Sequence, residues 1–151
     1  MIRVQQEDFD PGAEIAKLTA GRTDIGGIAM FVGLVRDANE GEAVSAMTLE
    51  HYPGMTEKKL AEIEAEAQER WPLSATLIIH RTGELKPGER IVLVAAASSH
   101  RDAAFEACRF LIDWLKTQAP FWKLEEKAGS AEWVEARESD TAHAARWNAK
   151  K

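Results

Sequence analysis

The chain is 151 residues long, 45% hydrophobic and 29% charged, and 19 Lys+Arg against 25 Asp+Glu leave a formal net charge of −6. That is the make-up of one globular domain, residues 1–151. No apolar run nears the roughly 20 residues of a membrane span, and the first residues lack the apolar stretch of a secretion signal. A pI near 5.3 makes a general nucleic-acid coat a poor fit. One cysteine, Cys108, excludes an intramolecular disulfide and a cysteine-rich metal site. The expectation is a cytoplasmic domain with neither membrane nor nucleic acid as partner.

Ile2 to Gln5 alternates weakly and predicts a short first strand. Asp10-Pro11 supplies an N-cap and a proline at the first helical position, which predicts a helix to about Thr19, ended by Gly21. Gly26 to Val35 (GGIAMFVGLV) is almost continuously apolar and predicts a strand buried on both faces. Arg36 to Gly41 is a polar turn or loop, and Ala43 to Tyr52 alternates as a strand. Pro53-Gly54 breaks the chain. From Met55 to Arg70, Leu60, Ile63, Ala67 and Trp71 recur at three- and four-residue spacing, which predicts a surface helix with one buried face, stopped by Pro72.

Ala75–His80 and Arg90–Ala97 read as strands of an antiparallel hairpin, with a turn at Lys86-Pro87-Gly88-Glu89. Ser99-His100-Arg101-Asp102 has the S-x-x-D form of a capping box and opens a helix from His100 to about Thr117. Its core face is predicted to be Ala104, Phe105, Cys108, Leu111, Ile112 and Leu115. Pro120 ends it, Phe121 to Glu126 is extended, a short strand lies around Trp133-Val134, and a final helix runs from Ala142. The class is α+β with a mostly antiparallel sheet.

Two places could carry chemistry. At Ser99-His100-Arg101 a helix N-terminus joins its unpaired N–H groups to an arginine and a histidine, which suits a phosphate or carboxylate; the alternative is a plain cap with two solvated side chains. In Lys116-Thr117-Gln118-Ala119-Pro120-Phe121-Trp122-Lys123 two lysines flank an apolar corner, where partial desolvation lowers a lysine pKa. The alternative there is a helix-dipole partner and an exposed strand residue. Cys108 falls on an apolar helix face and reads as core. His51, His80, His100 and His143 have no metal-ligand spacing, the five tryptophans read as core or interface anchors, and no phosphate-binding glycine pattern is present. The residues alone support an anion-binding α+β domain.

Larger strings go further. Phe31-Val32-Gly33 with Val35-Arg36, Leu49-Glu50-His51-Tyr52-Pro53-Gly54-Met55, His80-Arg81-Thr82-Gly83-Glu84-Leu85, Ser99-His100-Arg101, the Lys116–Lys123 string and Trp133-Val134-Glu135-Ala136-Arg137 closely resemble the large, catalytic subunit of molybdopterin synthase. They occur in the family's order from about Gly26 to Trp147. The resemblance implies an α/β hammerhead-like fold with a small additional antiparallel sheet. It also implies a sulfurtransferase that converts cyclic pyranopterin monophosphate (precursor Z) to molybdopterin for molybdenum cofactor biosynthesis. Both sulfurs arrive as a thiocarboxylate on the C-terminal Gly-Gly of a small ubiquitin-like subunit whose tail enters a pocket. The large subunit forms a central homodimer with a small subunit at each end, a heterotetramer. No metal or resident cofactor is implied, and the external sulfur donor removes the need for a cysteine nucleophile.

Carried onto this chain, the resemblance makes Lys116 the central catalytic group, stabilising an oxyanion or assisting proton transfer, with Lys123 supporting it or binding substrate. His100 and Arg101 hold the pterin phosphate, with Arg36 joining from its strand end. Leu34, Val35, Leu124 and Glu125 complete the substrate-binding set. The family often carries another basic residue directly after Lys123, where Leu124 stands here, and the stretch from Glu126 to Glu132 is short. Phe31, Met47 and Pro120 either shape the tail channel or pack the core. Two rival readings are a receptor for a ubiquitin-like tail that performs no chemistry, and a small RNA-binding domain. The two lysines and the His-Arg pair weigh against the first. The acidic pI and the apolar Gly26–Val35 run weigh against the second.

Overall fold

Thr76 to Arg81 and Ile91 to Ser98 are buried residue after residue, without the alternation of a half-exposed strand. In the computed structural model, which describes residues 1–39, 41–127, 130–134 and 138–148, these stretches are the two inner strands of a four-stranded sheet. The elements are β1 (Ile2–Gln5), α1 (Pro11–Thr19), β2 (Gly27–Leu34), β3 (Ala38–Asn39), β4 (Glu42–His51), α2 (Met55–Arg70), β5 (Leu73–Arg81), β6 (Gly83–Leu85), β7 (Arg90–Ser98), α3 (Arg101–Gln118), β8 (Phe121–Lys127), β9 (Ser130–Val134), α4 (Glu138–Ala145) and a 3-10 turn, Arg146–Asn148. The first sheet has the order β1-β5-β7-β2, with β1 parallel to β5 and the other pairs antiparallel. The second runs β3-β4-β8-β9, with β6 added along β4, and all of its pairs are antiparallel. This is the α+β organisation expected from the pattern, with the additional small antiparallel sheet.

Both faces of the first sheet are covered, which is why its inner strands are buried without alternation. On one face Leu77, Ile79, Leu93 and Ala95 pack with Phe9 under Ile15 and Leu18 of α1. On the other, Ile78, Val92, Val94 and Ala96 join Leu60, Ile63 and Ala67 of α2 and Phe110, Leu111 and Leu115 of α3. Asp10 caps α1 as expected, its carboxylate accepting from the Ala13 N–H at 3.2 Å. The C-terminal turn is fastened to α3 and α2: Trp147 Nε1–H donates to Asp113 at 2.8 Å, and Arg70 donates to the Trp147 carbonyl at 2.6 Å.

Three expectations are corrected. Gly26–Val35 is not buried on both faces: β2 is an edge strand, and Met30, Phe31 and Leu34 are 47%, 39% and 54% exposed. Its apolar run reflects an open edge rather than an enclosed strand. On α3 the buried set is Ala104, Ala107, Cys108, Phe110, Leu111 and Leu115, while Phe105 is 64% exposed and Ile112 only half-buried. The helix is rotated so that Phe110, rather than Phe105, meets Trp71 edge-on, ring centroids 5.4 Å apart. The last helix begins at Glu138, four residues earlier than Ala142. No helix among the described residues is long and apolar enough to cross a membrane.

Candidate active site

The β4–β8 ladder sets the lysine end. His51 lies opposite Phe121 and Leu49 opposite Lys123. Cross-strand partners and residues two apart share a face, so Lys123 projects on the same side as Phe121, His51 and the buried Leu49. It is half-buried there, rather than the exposed strand residue of the plainer reading. Lys116 is exposed in the last turn of α3. Between the lysines the chain turns at Ala119-Pro120, where the Phe121 N–H donates to the Ala119 carbonyl at 2.8 Å.

Phe121 is gripped from the first sheet. Its ring stacks on His80 of β5, centroids 3.8 Å apart and planes 17° from parallel, and lies 6.3 Å from the His51 ring. His80 is buried, and its Nδ1–H donates to the Arg81 carbonyl at 2.8 Å. Burial pushes the His80 pKa down to about 3, and the charges of Lys116, Lys123 and His51 act in the same direction. His51 Nδ1 lies 3.8 Å from a Glu57 carboxylate oxygen. Lys116, Lys123, His51 and His80 therefore form one electrostatic cluster around a phenyl ring. Sequence reasoning assigned roles to the lysines but none to His80 or Phe121; the available signal was a histidine directly after the apolar Leu77-Ile78-Ile79.

The other end of α3 holds His100 and Arg101, both exposed. The expected capping box does not form. His100, not Ser99, is the cap residue, in extended backbone, and no side chain caps the helix. The first N–H groups are thus left without a side-chain partner. Gly26 passes so close that a Cβ there would lie 1.9 Å from the Ser99 carbonyl oxygen, and its N–H donates to Ser98 at 2.9 Å. Gly26, Ser99, His100, Arg101 and Asp102 line an open pocket of about 410 Å³.

These two places do not meet within one chain. Fifteen residues of helix, about 22 Å at 1.5 Å per residue, separate Arg101 from Lys116. The first sheet shows the same division: Gly33, Val92 and His80 form a row at the lysine end, whereas Gly27 and Ser98 pair at the His100 end. Arg36, two residues beyond β2, is exposed at the lysine end. It does not join His100 and Arg101 of its own chain, as the sequence reading expected.

The remaining candidates divide by face. Leu34 is exposed on the open edge. Val35 is buried, with its N–H donating to Glu89 at 2.9 Å and its carbonyl accepting from Gly88 at 2.7 Å, so it serves the core and offers no free polar group to a substrate. Leu124 pairs with Thr48 and Trp133 and, one residue from Lys123, faces the opposite side of the sheet. Glu125 stands opposite Met47 in register, and its side chain lies outside the described residues, as do Glu135-Ala136-Arg137 of the C-terminal motif. Phe31 is exposed, Met47 buried and Pro120 half-buried. Cys108 packs in the core as expected, and burial pushes its thiol up to about 11. Among the described residues no three His, Cys, Asp or Glu side chains gather as a metal-holding set.

The family model described as MoaE protein matches residues 4–118. The molybdopterin synthase catalytic subunit of Ralstonia nicotianae is 59% identical over 146 residues, 97% of this chain and 83% of that protein. The solved structure of a molybdopterin biosynthesis MoaE protein from Burkholderia ambifaria MC40-6 is 51% identical, covers 99% of each chain and superposes with a TM-score of 0.85. The crystal structure of molybdopterin synthase from Staphylococcus aureus is 32% identical over 87% of this chain and 95% of its own, with a TM-score of 0.80.

Proposed function

The chain belongs to the MoaE family of molybdopterin synthase catalytic subunits, and from that premise we propose that it installs the two dithiolene sulfurs of molybdopterin on cyclic pyranopterin monophosphate. The sulfur comes from the thiocarboxylated C-terminus of a small ubiquitin-like subunit. The observation that supports the chemistry is the clustering of Lys116 and Lys123 around the His80–Phe121 stack, from the end of one helix and the start of one strand.

A sulfur that bonds to a pterin carbon is still acylated by the tail. Its release requires water to attack the tail's carbonyl, through an oxyanion that a nearby ammonium stabilises. Lys116 is assigned that role, with proton transfer to the leaving sulfur as the alternative use of the same group. Lys123, half-buried beside it, holds substrate or tail. Because sulfur enters on the partner, the reaction calls for no metal, no resident cofactor and no cysteine nucleophile. A cytoplasmic location fits this use.

His100 and Arg101 hold the pterin phosphate at the uncapped start of α3. They lie about 22 Å along the helix from Lys116, farther than one pterin reaches, so the phosphate site of one copy serves the lysines and Arg36 of a second. The homodimer thereby becomes part of the active site rather than a scaffold.

Single-turnover conversion of precursor Z with a thiocarboxylated small subunit tests the reading. Lys116→Ala is expected to abolish product while retaining tail binding. Wild-type protein that binds the tail but yields no product with a competent donor is instead a non-catalytic tail receptor.

A further inference from the structure

The corner between the two lysines is held by a residue of the other sheet. Lys116 lies in the last turn of α3, Ala119-Pro120 turns the chain, Phe121 opens β8, and Lys123 follows two residues later on the same face. The relative placement of the ammonium groups is therefore set by how firmly Phe121 is seated. Its partner, His80, is fixed three ways: by burial in β5, by backbone pairing with Val92 and Val4 on either side, and by the bond from Nδ1–H to the Arg81 carbonyl. That bond selects the tautomer with hydrogen on Nδ1 and leaves Nε2 bare.

We propose that His80 is a positioning residue for the lysine pair, seating the Ala119–Phe121 corner through its stack on Phe121 and its bond to the Arg81 carbonyl. The proposal rests on the sulfurtransferase reading for its consequence, but not for its geometry. The groups facing His80 are Lys116 from α3, Lys123 from β8 and His51 from β4, and each disfavours a charge on it. The coupling is reciprocal. A cationic group at position 80 would repel both ammonium groups, and an uncharged ring adds no such repulsion. A phenyl ring could still stack on Phe121, but without the bond to the Arg81 carbonyl it would not be held in place, and the Ala119–Phe121 corner would shift with it.

The test is a comparison of wild type with His80→Phe and His80→Asn, the second retaining a donor where Nδ1 stands. Lysine titrations by NMR on [13Cε]-lysine protein and single-turnover rates with the thiocarboxylated partner are the two readouts. His80→Phe is expected to shift the Lys116 and Lys123 titrations and to lower the rate about tenfold, as displaced catalytic groups do, with tail affinity unchanged. His80→Asn is expected to recover part of the rate. Both variants folding with wild-type titrations and wild-type rates would overturn the proposal. If His80→Phe does not fold, Phe121→Leu removes the stack from the other side and must produce the same two effects. Wild-type protein without turnover, but with titrations that move in the variants, would sink the sulfurtransferase reading and leave the positioning role standing.

Discussion

Lys123 stands directly across the β4–β8 ladder from Leu49, a side chain only 1% exposed, so a lysine occupies the core-facing side of its sheet. Its methylene stem covers apolar surface while the ammonium reaches the cluster with Lys116 and His80. A lysine serving only packing could be replaced by an unbranched apolar side chain. Lys123→Met keeps the stem and removes the charge. The expected result is an unfolding free energy within about 1 kcal/mol of wild type, together with a loss of roughly a hundredfold in single-turnover rate. Equal loss of stability and rate would make Lys123 structural.

His80 makes stability depend on pH in a defined window. An unfolded chain protonates this histidine near 6.5, whereas the folded protein resists protonation until about 3. Above pH 6.5 the group contributes no slope. Below it the unfolded state binds the extra proton, so stability falls as pH drops from 6.5 toward 3, by about 2 kcal/mol at pH 5 for this one group. Urea midpoints at pH 7.5 and 5.0 read the effect. His80→Gln should lose correspondingly less between the two, whatever its midpoint at pH 7.5.

The histidine also shows where sequence reasoning stopped. Boundaries were legible where a local signal marked them, as at Asp10-Pro11 at the start of α1 and along the amphipathic Met55 to Arg70, but not at the last helix, which starts four residues earlier than read. The apolar runs were legible as strands, but not their place in the sheet. Gly26–Val35 and Arg90–Ala97 look alike in composition, yet one became an edge and the other a centre. That choice is made by long-range pairing, on which a run's composition is silent. Likewise Phe105 and Phe110 are both plausible on the inner face of α3, and only the aromatic partners Trp71 and Trp147 decide for Phe110. The lysines stood out because they bracket a proline corner, and the family resemblance gave them their roles. Their distance from His100 and Arg101 follows from the predicted helix itself, about 22 Å over fifteen residues; a site gathered within one chain was incompatible with it.

Gly26 ties the edge strand to the His100–Arg101 end of α3. With a Cβ placed 1.9 Å from the Ser99 carbonyl oxygen and 2.8 Å from its carbon, both of them backbone atoms, no side-chain rotation relieves the clash. Gly26→Ala must move β2 away from the Ser98–His100 turn. A destabilisation toward the upper end of the roughly 1–3 kcal/mol range for overpacking is expected, measured by denaturant unfolding. Precursor affinity should weaken with it, because His100 and Arg101 lie on the displaced turn. Gly21, whose Cβ would meet nothing within 4 Å but whose φ is +70°, provides the contrast. Gly21→Asn should be tolerated, since asparagine enters the left-handed region readily, and should leave precursor affinity alone.

The separation of the two cationic ends makes the last prediction. In a two-fold dimer each site would take Lys116 from one copy and Arg101 from the other. Lys116→Ala and Arg101→Ala homodimers each damage both of their sites. A dimer built from one chain of each kind has one site with both defects and one with neither. Mixed dimers, isolated through two different affinity tags, should therefore regain about half of the wild-type rate, and a random mixture about a quarter, by the symmetry of the assembly alone. Were both residues to serve one site within a single chain, every site in the mixed dimer would carry a defect, and its rate would stay at the level of the parent variants. Arg36→Ala sharpens the assignment, because Arg36 lies at the lysine end of its own chain. Paired with Arg101→Ala it should complement, and paired with Lys116→Ala it should not.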